Sequence, residues 1–266
     1  MSALKIIVCM KQVADPEAPS SAFDIDGAAR RVVAHGIPPV INPFDASALE
    51  AALTIKDKMA AHITVVTMID DKLAMAVLRK ALAAGADDLV ILEDPLFLGL
   101  DAFSTAYVLA SAIRGIGAYS LILTGRQTAD WGSGSVGMII AEMLGIPGIN
   151  LARRIDIDGG RLVVERIRRS GSAVVRAAMP ALVAADSEIG ELRLPLLKDI
   201  KEATAKPVAK LSASMLRIDG NILRVREISD LLPSPSRRRT CCVVEGRLPQ
   251  ERGEKLALKL REDRVI

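Results

Sequence analysis

Residues 45–68 read DASALEAALTIKDKMAAHITVVTM, and the two halves of this stretch follow different patterns. Up to Met59, the residues Ala48, Leu49, Ala52, Leu53 and Ile55 recur at helical spacing and gather largely on one side of a helix. From Ile63 to Met68 the apolar residues run together and include β-branched ones, as in a strand covered on both faces. The same alternation extends outward. Strands are expected at Lys5–Met10, Ile63–Met68, Leu89–Leu92 and Leu121–Thr124, and further helices at Leu73–Ala84, Ala102–Ile113 and Val136–Leu144. Strands alternating with helices of this length mean βαβ units and a parallel sheet. Asp45 is expected to N-cap its helix, without a capping box because Ala48 stands at the third position. Gly85 is expected as the left-handed cap that ends the helix Leu73–Ala84.

From Arg153 the period becomes two and persists to Ile189, with Asp158-Gly159-Gly160 and Ser170-Gly171-Ser172 as turns. This reads as a β-meander appended to the parallel sheet. Beyond Ile189 the core pattern fades. Glu191–Ile200 (ELRLPLLKDI) is rich in leucine, but Pro195 breaks up a regular helix or central strand. Leu232–Ser236 (LPSPS) reads as a linker, Arg237–Arg239 as a solvated turn or a contact for an acidic face, and Pro249–Arg264 as one amphipathic helix. The expected fold class is therefore α/β: a Rossmann-like, doubly wound parallel sheet with a β-meander and a C-terminal arm. The expected division is a domain over residues 1–189, a loop over 190–200 and an arm over 201–266.

Composition narrows the function. The chain has 266 residues, 50% hydrophobic and 25% charged, with 35 Lys and Arg against 32 Asp and Glu. That balance excludes general disorder and gives no basic surface for nucleic acid. Four Phe, two Tyr and one Trp leave a core of Ala, Val, Ile and Leu, and little to stack on single-stranded bases. Cys9, Cys241 and Cys242 offer neither a pairing framework nor zinc-ligand spacing, so a reducing compartment is expected. The N-terminal apolar run is too short for a signal-peptide core, and no stretch approaches the ~18 apolar residues of a membrane span. A soluble intracellular protein without membrane insertion is the expectation.

In open parallel sheets, ligands bind beyond the carboxyl ends of the strands. The richest segment there is Gly125–Gly137, GRQTADWGSGSVG, which contains Gly132-Ser133-Gly134-Ser135-Val136-Gly137. This is a literal G-x-G-x-x-G, but too far from the strand to be the strict dinucleotide fingerprint. Its mechanism still applies: glycines permit close backbone approach, and the next helix points free N–H groups at an anion. A phosphate site is expected at Gly132–Gly137. Asp130 serves either as a cap in this loop or as a ribose contact, and Trp131 lies either over a ring or along a domain edge. No catalytic constellation accompanies the loop. His35 and His62 are the only histidines and read as structural or solvent-facing, and neither Walker A nor G-x-S-x-G occurs.

Several segments, in order along nearly the whole chain, resemble the β subunit of electron transfer flavoproteins. They are Lys11-Gln12-Val13; Ile41-Asn42-Pro43-Phe44-Asp45 with Ala48–Leu53; Ala81–Asp87; Gly125-Arg126-Gln127-Thr128 with Asp130; Gly137, Ala141-Glu142 and Leu144–Pro147; and Met179–Val183. The resemblance implies a heterodimer with an α subunit whose FAD faces the β subunit. The pair carries electrons between flavin-dependent dehydrogenases of the acyl-CoA type and a redox acceptor, with no catalytic residues of its own. It implies an adenine nucleotide in the β subunit, either AMP or, in bifurcating members, a second FAD. Cys9, Asn42, Met68, Gly125, Arg126, Gln127, Thr128, Asp130, Gly132, Ser133, Gly134, Ser135, Val136 and Gly137 would then hold the nucleotide, with Phe44 toward the α-subunit flavin. Glu191–Ile200 resembles the family's partner-recognition loop, with Leu197 as its anchoring leucine, and the arm would wrap onto the α subunit. Ser135 stands where the family usually has Gln, which alters a phosphate or ribose contact. Asp94–Thr105 (DPLFLGLDAFST) and Gly125–Thr128 resemble the bifurcating members and favour FAD. A cytoplasmic bacterial setting, or less readily a mitochondrial matrix, goes with the resemblance. A universal-stress-type nucleotide-binding regulator shares the α/β pattern but would be about half this length and lack the meander and arm.

Overall fold

Each central strand is apolar on both faces and is covered on both by helices. In β1 (Leu4–Cys9), Ile6 and Val8 enter one core while Ile7 and Cys9 enter the other, all four buried. The computed structural model describes residues 3–28, 30–69, 74–226, 228–232 and 241–266. After β1 come α1 (Pro43–Lys58), β2 (Ala61–Met68), α2 (Met75–Ala84), β3 (Asp88–Leu92), α3 (Ala102–Ile116), β4 (Leu121–Gly125) and α4 (Val136–Leu144). Helices α1 and α2 fill the core on the Ile6/Val8 side, and α3 and α4 fill the core on the Ile7/Cys9 side. This is the doubly wound arrangement.

Next are β5 (Gly148–Asp158), β6 (Arg161–Arg168), β7 (Gly171–Ala177), β8 (Ala181–Ala185), α5 (Leu197–Glu202) and β9 (Val208–Leu211). The nine strands form one sheet in the order β7-β6-β5-β8-β4-β1-β2-β3-β9. From β5 to β9 across this order every pairing is parallel, and only β5–β6 and β6–β7 are antiparallel. The order reverses at β1: β2 and β3 extend to one side, and β4 adds on the other.

The meander expectation needs a correction. Antiparallel pairing ends at Ala177, and Ala181–Ala185 is a parallel strand inserted between β4 and β5 with all five residues buried. ALVAA is uniformly apolar because both faces are covered, so it carries no alternation to betray its neighbours. The Gly159-Gly160 turn forms as expected. Both residues have positive φ, +55° and +76°, as a two-residue hairpin turn demands.

Helix α1 also begins earlier than expected. Pro43 opens it with Asn42 as the flanking residue, so Asp45 lies inside the first turn rather than capping it. Gly85 does end α2 with a positive φ of +130°. The chain divides into two compact units, Met1–Ser229 and Asp230–Ile266. Residues 201–229 were expected within the arm, but they belong to the first unit, because Val208–Leu211 pairs with β3 at the sheet edge. In the second unit, α6 (Pro249–Glu262) carries the pairs Glu251–Lys255 at 2.7 Å and Lys259–Glu262 at 3.0 Å. Residues 233–240, which hold Arg237–Arg239 and most of the expected linker, lie outside the described residues.

Gly125, at the end of β4, is the tightest backbone approach at the site. A Cβ there would collide with Asp45 Oδ1 and fall 2.7 Å from Phe44 Cβ. Gly125→Ala must push α1 away from the strand end, and a loss of about 1–3 kcal/mol is expected. A lower urea midpoint at unchanged m-value is the measurement that checks it.

Candidate functional site

Where the strand order reverses, the ends of β1 and β4 diverge beyond the last paired residues, Val8 and Leu123. Such a point opens a crevice. The first turn of α1 closes its floor. The Lys11 N–H donates to Asp45 Oδ2 at 2.8 Å, and the Gly125 N–H donates to Asp45 Oδ1 at 2.9 Å. Asn42, fully buried, holds the following loop: its Nδ2 donates to the Gln127 carbonyl at 2.9 Å and its Oδ1 accepts from the Ala129 N–H at 3.0 Å. Burial lifts the Asp45 carboxyl from 3.8 to about 7, against the opposing pull of its hydrogen bonds. Burial and the nearby Asp45 push the Cys9 thiol up to about 12, so it is no thiolate nucleophile.

Above this floor lies a cleft of about 1100 Å³, open mouth included. Cys9, Met68, Gly125, Arg126, Gln127, Thr128, Ser133, Gly134, Ser135, Val136 and Gly137 line it, as do Lys11, Asp45, Leu100, Thr124, Trp131 and Arg226. Helix α4 points its N-terminus here with no side chain capping it. Against that first turn sits the Thr124 hydroxyl, 2.6 Å from where a Cβ on Gly137 would lie. Thr124 is 5% exposed, and its Oγ1 is buried without any hydrogen-bond partner. A ligand oxygen at the α4 N-terminus would satisfy both features.

Two of the cations around the cleft are paired. Lys11 Nζ lies 2.6 Å from Asp130 Oδ2, and Arg126 Nε lies 3.2 Å from Asp186 Oδ2 while its guanidinium covers the Phe44 ring at 4.7 Å. Asp130 Oδ1 also accepts from the Trp131 N–H at 2.8 Å. Asp130 is thus a partner for Lys11 and a local cap. Asn42, Phe44, Asp130 and Gly132 do not line the cleft; the first three touch the loop and strand-end residues that do, and the Gly132 N–H closes the loop on the Thr128 carbonyl at 2.9 Å. Neither histidine is near it in function: His35 pairs with Asp24 at 3.2 Å and His62 with Asp88 at 2.6 Å, both exposed. Among the described residues no cluster of His, Cys, Asp and Glu can hold a metal ion.

The profile described as the electron transfer flavoprotein domain matches residues 30–216. An electron transfer flavoprotein subunit beta from Thermoanaerobacterium thermosaccharolyticum is 36% identical over 224 residues, covering 84% of each chain. The subunit of the same description from Megasphaera elsdenii is 36% identical over 239 residues, 85% of this chain and 87% of its own. The caffeyl-CoA reductase-Etf complex subunit CarD from Acetobacterium woodii is 33% identical over 205 residues, 77% of each. The chain belongs to the electron transfer flavoprotein family. Its similarity is to the β subunits, over lengths that a half-sized universal-stress regulator does not match.

The segment resembling the β-subunit recognition loop is held firmly at its base. Arg193 reaches α1, donating to both oxygens of Glu50 (2.7 Å at closest) and to Asp57 at 2.8 Å. These two carboxylates hold the guanidinium proton well above the usual arginine range. Beyond this anchor Leu194, Leu196 and Leu197 are 92%, 63% and 72% exposed, with Leu197 opening α5. Sequence reasoning found the leucines and missed the anchor. It also missed Arg226, which reaches the cleft from far along the chain.

The raised Asp45 pKa sets a sign for stability against pH. The folded protein keeps this proton up to about pH 7, whereas the unfolded chain releases it near 3.8. The folded state therefore holds more protons between about pH 4 and pH 7, and Asp45's contribution falls as pH rises through that window. Asp45→Asn retains one acceptor, leaves the other N–H unpaired at a cost of about 1–3 kcal/mol, and abolishes this slope. Urea midpoints at pH 5 and pH 7.5 are expected to fall more for the wild type than for the variant.

Proposed function

We propose that the cleft holds an adenine nucleotide and that the chain serves as the β subunit of an electron-transferring pair. Its α-subunit partner brings the redox FAD that exchanges electrons with a flavin-dependent dehydrogenase and an acceptor. The observation that carries the nucleotide assignment is the partnerless, buried Thr124 hydroxyl set against the uncapped N-terminus of α4. A phosphate there would accept the free N–H groups and the hydroxyl, with the glycine loop close enough to wrap it. Cys9 and Met68, lining the same cleft, offer apolar surface to a base. The protein's part is to hold, orient and exclude water, and the redox chemistry belongs to the flavin.

FAD is the nucleotide we favour over AMP, on the resemblance of Asp94–Thr105 and Gly125–Thr128 to bifurcating members. The Acetobacterium relative is a subunit of a caffeyl-CoA reductase-Etf complex, which supports a dehydrogenase-type partner. The relatives are bacterial, among the described residues no helix is long and apolar enough to cross a membrane, and a cytoplasmic setting fits this reading. The exposed leucines from Leu194 to Leu197 are the proposed dehydrogenase contact, and the second unit is the proposed contact with the α subunit.

Denaturing the purified complex and quantifying released nucleotide checks the assignment. Two FAD per heterodimer is the expected result, one FAD with one AMP places AMP in this cleft instead, and a colourless homodimer rejects the flavoprotein role. For the contact, Leu197→Ala is expected to slow reduction by the dehydrogenase about tenfold, the loss of a buried leucine anchor being worth at least ~1.4 kcal/mol. Its nucleotide content should stay unchanged. Equal reduction rates would show that Leu197 makes no such contact.

A further inference from the structure

The cleft's third cation differs from the other two. Arg226 lies on a strap that pairs with the segment before α3: Val225 bridges Leu100, and the Arg226 N–H donates to the Gly99 carbonyl at 2.8 Å. Its Nη2 reaches the Leu100 carbonyl at 3.5 Å, and its guanidinium lies 3.8 Å from the centroid of Trp131. Arg226 thus crosses from the α3 wall of the cleft to the glycine loop, with Trp131 beneath it half-exposed at 47%. Lys11 Nζ is hydrogen-bonded to Asp130, and Arg126 lies beside Asp186 although its buried Nε makes no hydrogen bond; among the described residues no carboxylate pairs with Arg226.

An arginine on a cleft wall with no counter-ion among the described residues is suited to an anion. Its planar fork suits two phosphate oxygens, and its stacking on an indole leaves the N–H edge free to turn toward a ligand. The cleft already offers one anion position, the α4 N-terminus with the Thr124 hydroxyl. Two separate anion-binding features in one cleft match a diphosphate better than a monophosphate. We infer that Arg226, stacked on Trp131, is a lid that binds the second phosphate of a nucleoside diphosphate, the ADP half of FAD included, and makes the cleft prefer it over AMP. This rests on the nucleotide reading above and assigns the selectivity to one residue. On binding, the guanidinium leaves the Trp131 face for the phosphate.

The test uses the full chain, freed of co-purified nucleotide, titrated with AMP and with ADP by calorimetry and by fluorescence. Trp131 is the sole tryptophan, so emission reports on the lid directly. The wild type is expected to bind ADP about tenfold or more tighter than AMP, the worth of one charge-assisted hydrogen bond. ADP should change Trp131 emission more than AMP does. Arg226→Gln is expected to bring ADP affinity down to that of AMP, leave AMP affinity within about threefold, and abolish the emission difference. Retained AMP binding certifies the variant's fold, and Arg226→Lys, which keeps the charge without the fork, should fall between the two. Equal wild-type affinities for AMP and ADP, or a variant that weakens both alike or neither, would overturn the lid. A wild type that binds neither nucleotide would overturn the nucleotide reading itself.

Discussion

At the point where the strand order reverses, two backbone N–H groups emerge from the sheet with no strand left to receive them. Lys11 and Gly125 stand past the last ladder pair of β1 and β4, and both donate to one buried carboxylate, Asp45. Buried donors cannot go unpaired without a penalty of about 1–3 kcal/mol each, so this contact is what allows the sheet to open there. The other features of the site are built outward from it. Asp45 brings the first turn of α1 against Gly125, which has no room for a side chain. Three residues earlier, Asn42 grips Gln127 and Ala129 and so fixes where the glycine loop leaves β4. A carboxyl held there is drawn toward protonation by burial, and its two hydrogen bonds tie the first turn of α1 to both strand ends.

The chemistry left in the cleft is that of a holder. The buried thiol is pushed away from ionisation, two of its cations are paired, and the histidines face solvent elsewhere. Among the described residues, what lines it besides is a helix N-terminus, a hydroxyl, glycine backbone and the guanidinium groups of Arg126 and Arg226. On the proposed reading these groups hold an anion without taking or giving a proton or an electron. A subunit of an electron carrier needs nothing more of its own side chains, because binding and orientation are the protein's contribution to flavin chemistry.

The layered α/β fold was legible because its strands are apolar on both faces and its helices are alanine-rich at helical spacing. Ala181–Ala185 was misplaced for the same reason: a short, uniformly apolar strand gives no register, and only its neighbours reveal it. Val208–Leu211 was hidden differently, since an edge strand of four mostly exposed residues shows no burial pattern. Asp45 was misread as a cap because a lone Asp ahead of an apolar helix fits that pattern, while Pro43 two residues earlier marked the true start. In the site, Gly125–Gly137 was legible from glycine spacing. Arg226 was not, because its place in the cleft depends on the bridge from Val225 to Leu100, more than a hundred residues away in sequence.

Helix α1 connects the two working parts of the first unit while keeping them apart. Its first turn, through Asp45, sets the cleft floor, and its outer side, through Glu50 and Asp57, anchors Arg193 and the exposed leucines that follow. At 1.5 Å per residue, Glu50 and Asp57 lie roughly 8 and 18 Å along the axis from Asp45. The helix between them is packed on the sheet by Leu49, Ala52, Leu53 and Ile55, all nearly inaccessible. On the proposed reading, a partner that engages the leucines loads a surface whose support is a rigid, buried helix rather than the proposed nucleotide. Docking there would be weak and frequently renewed without loosening whatever the cleft holds, which is the physical requirement on a subunit proposed to meet successive partners while keeping a bound nucleotide.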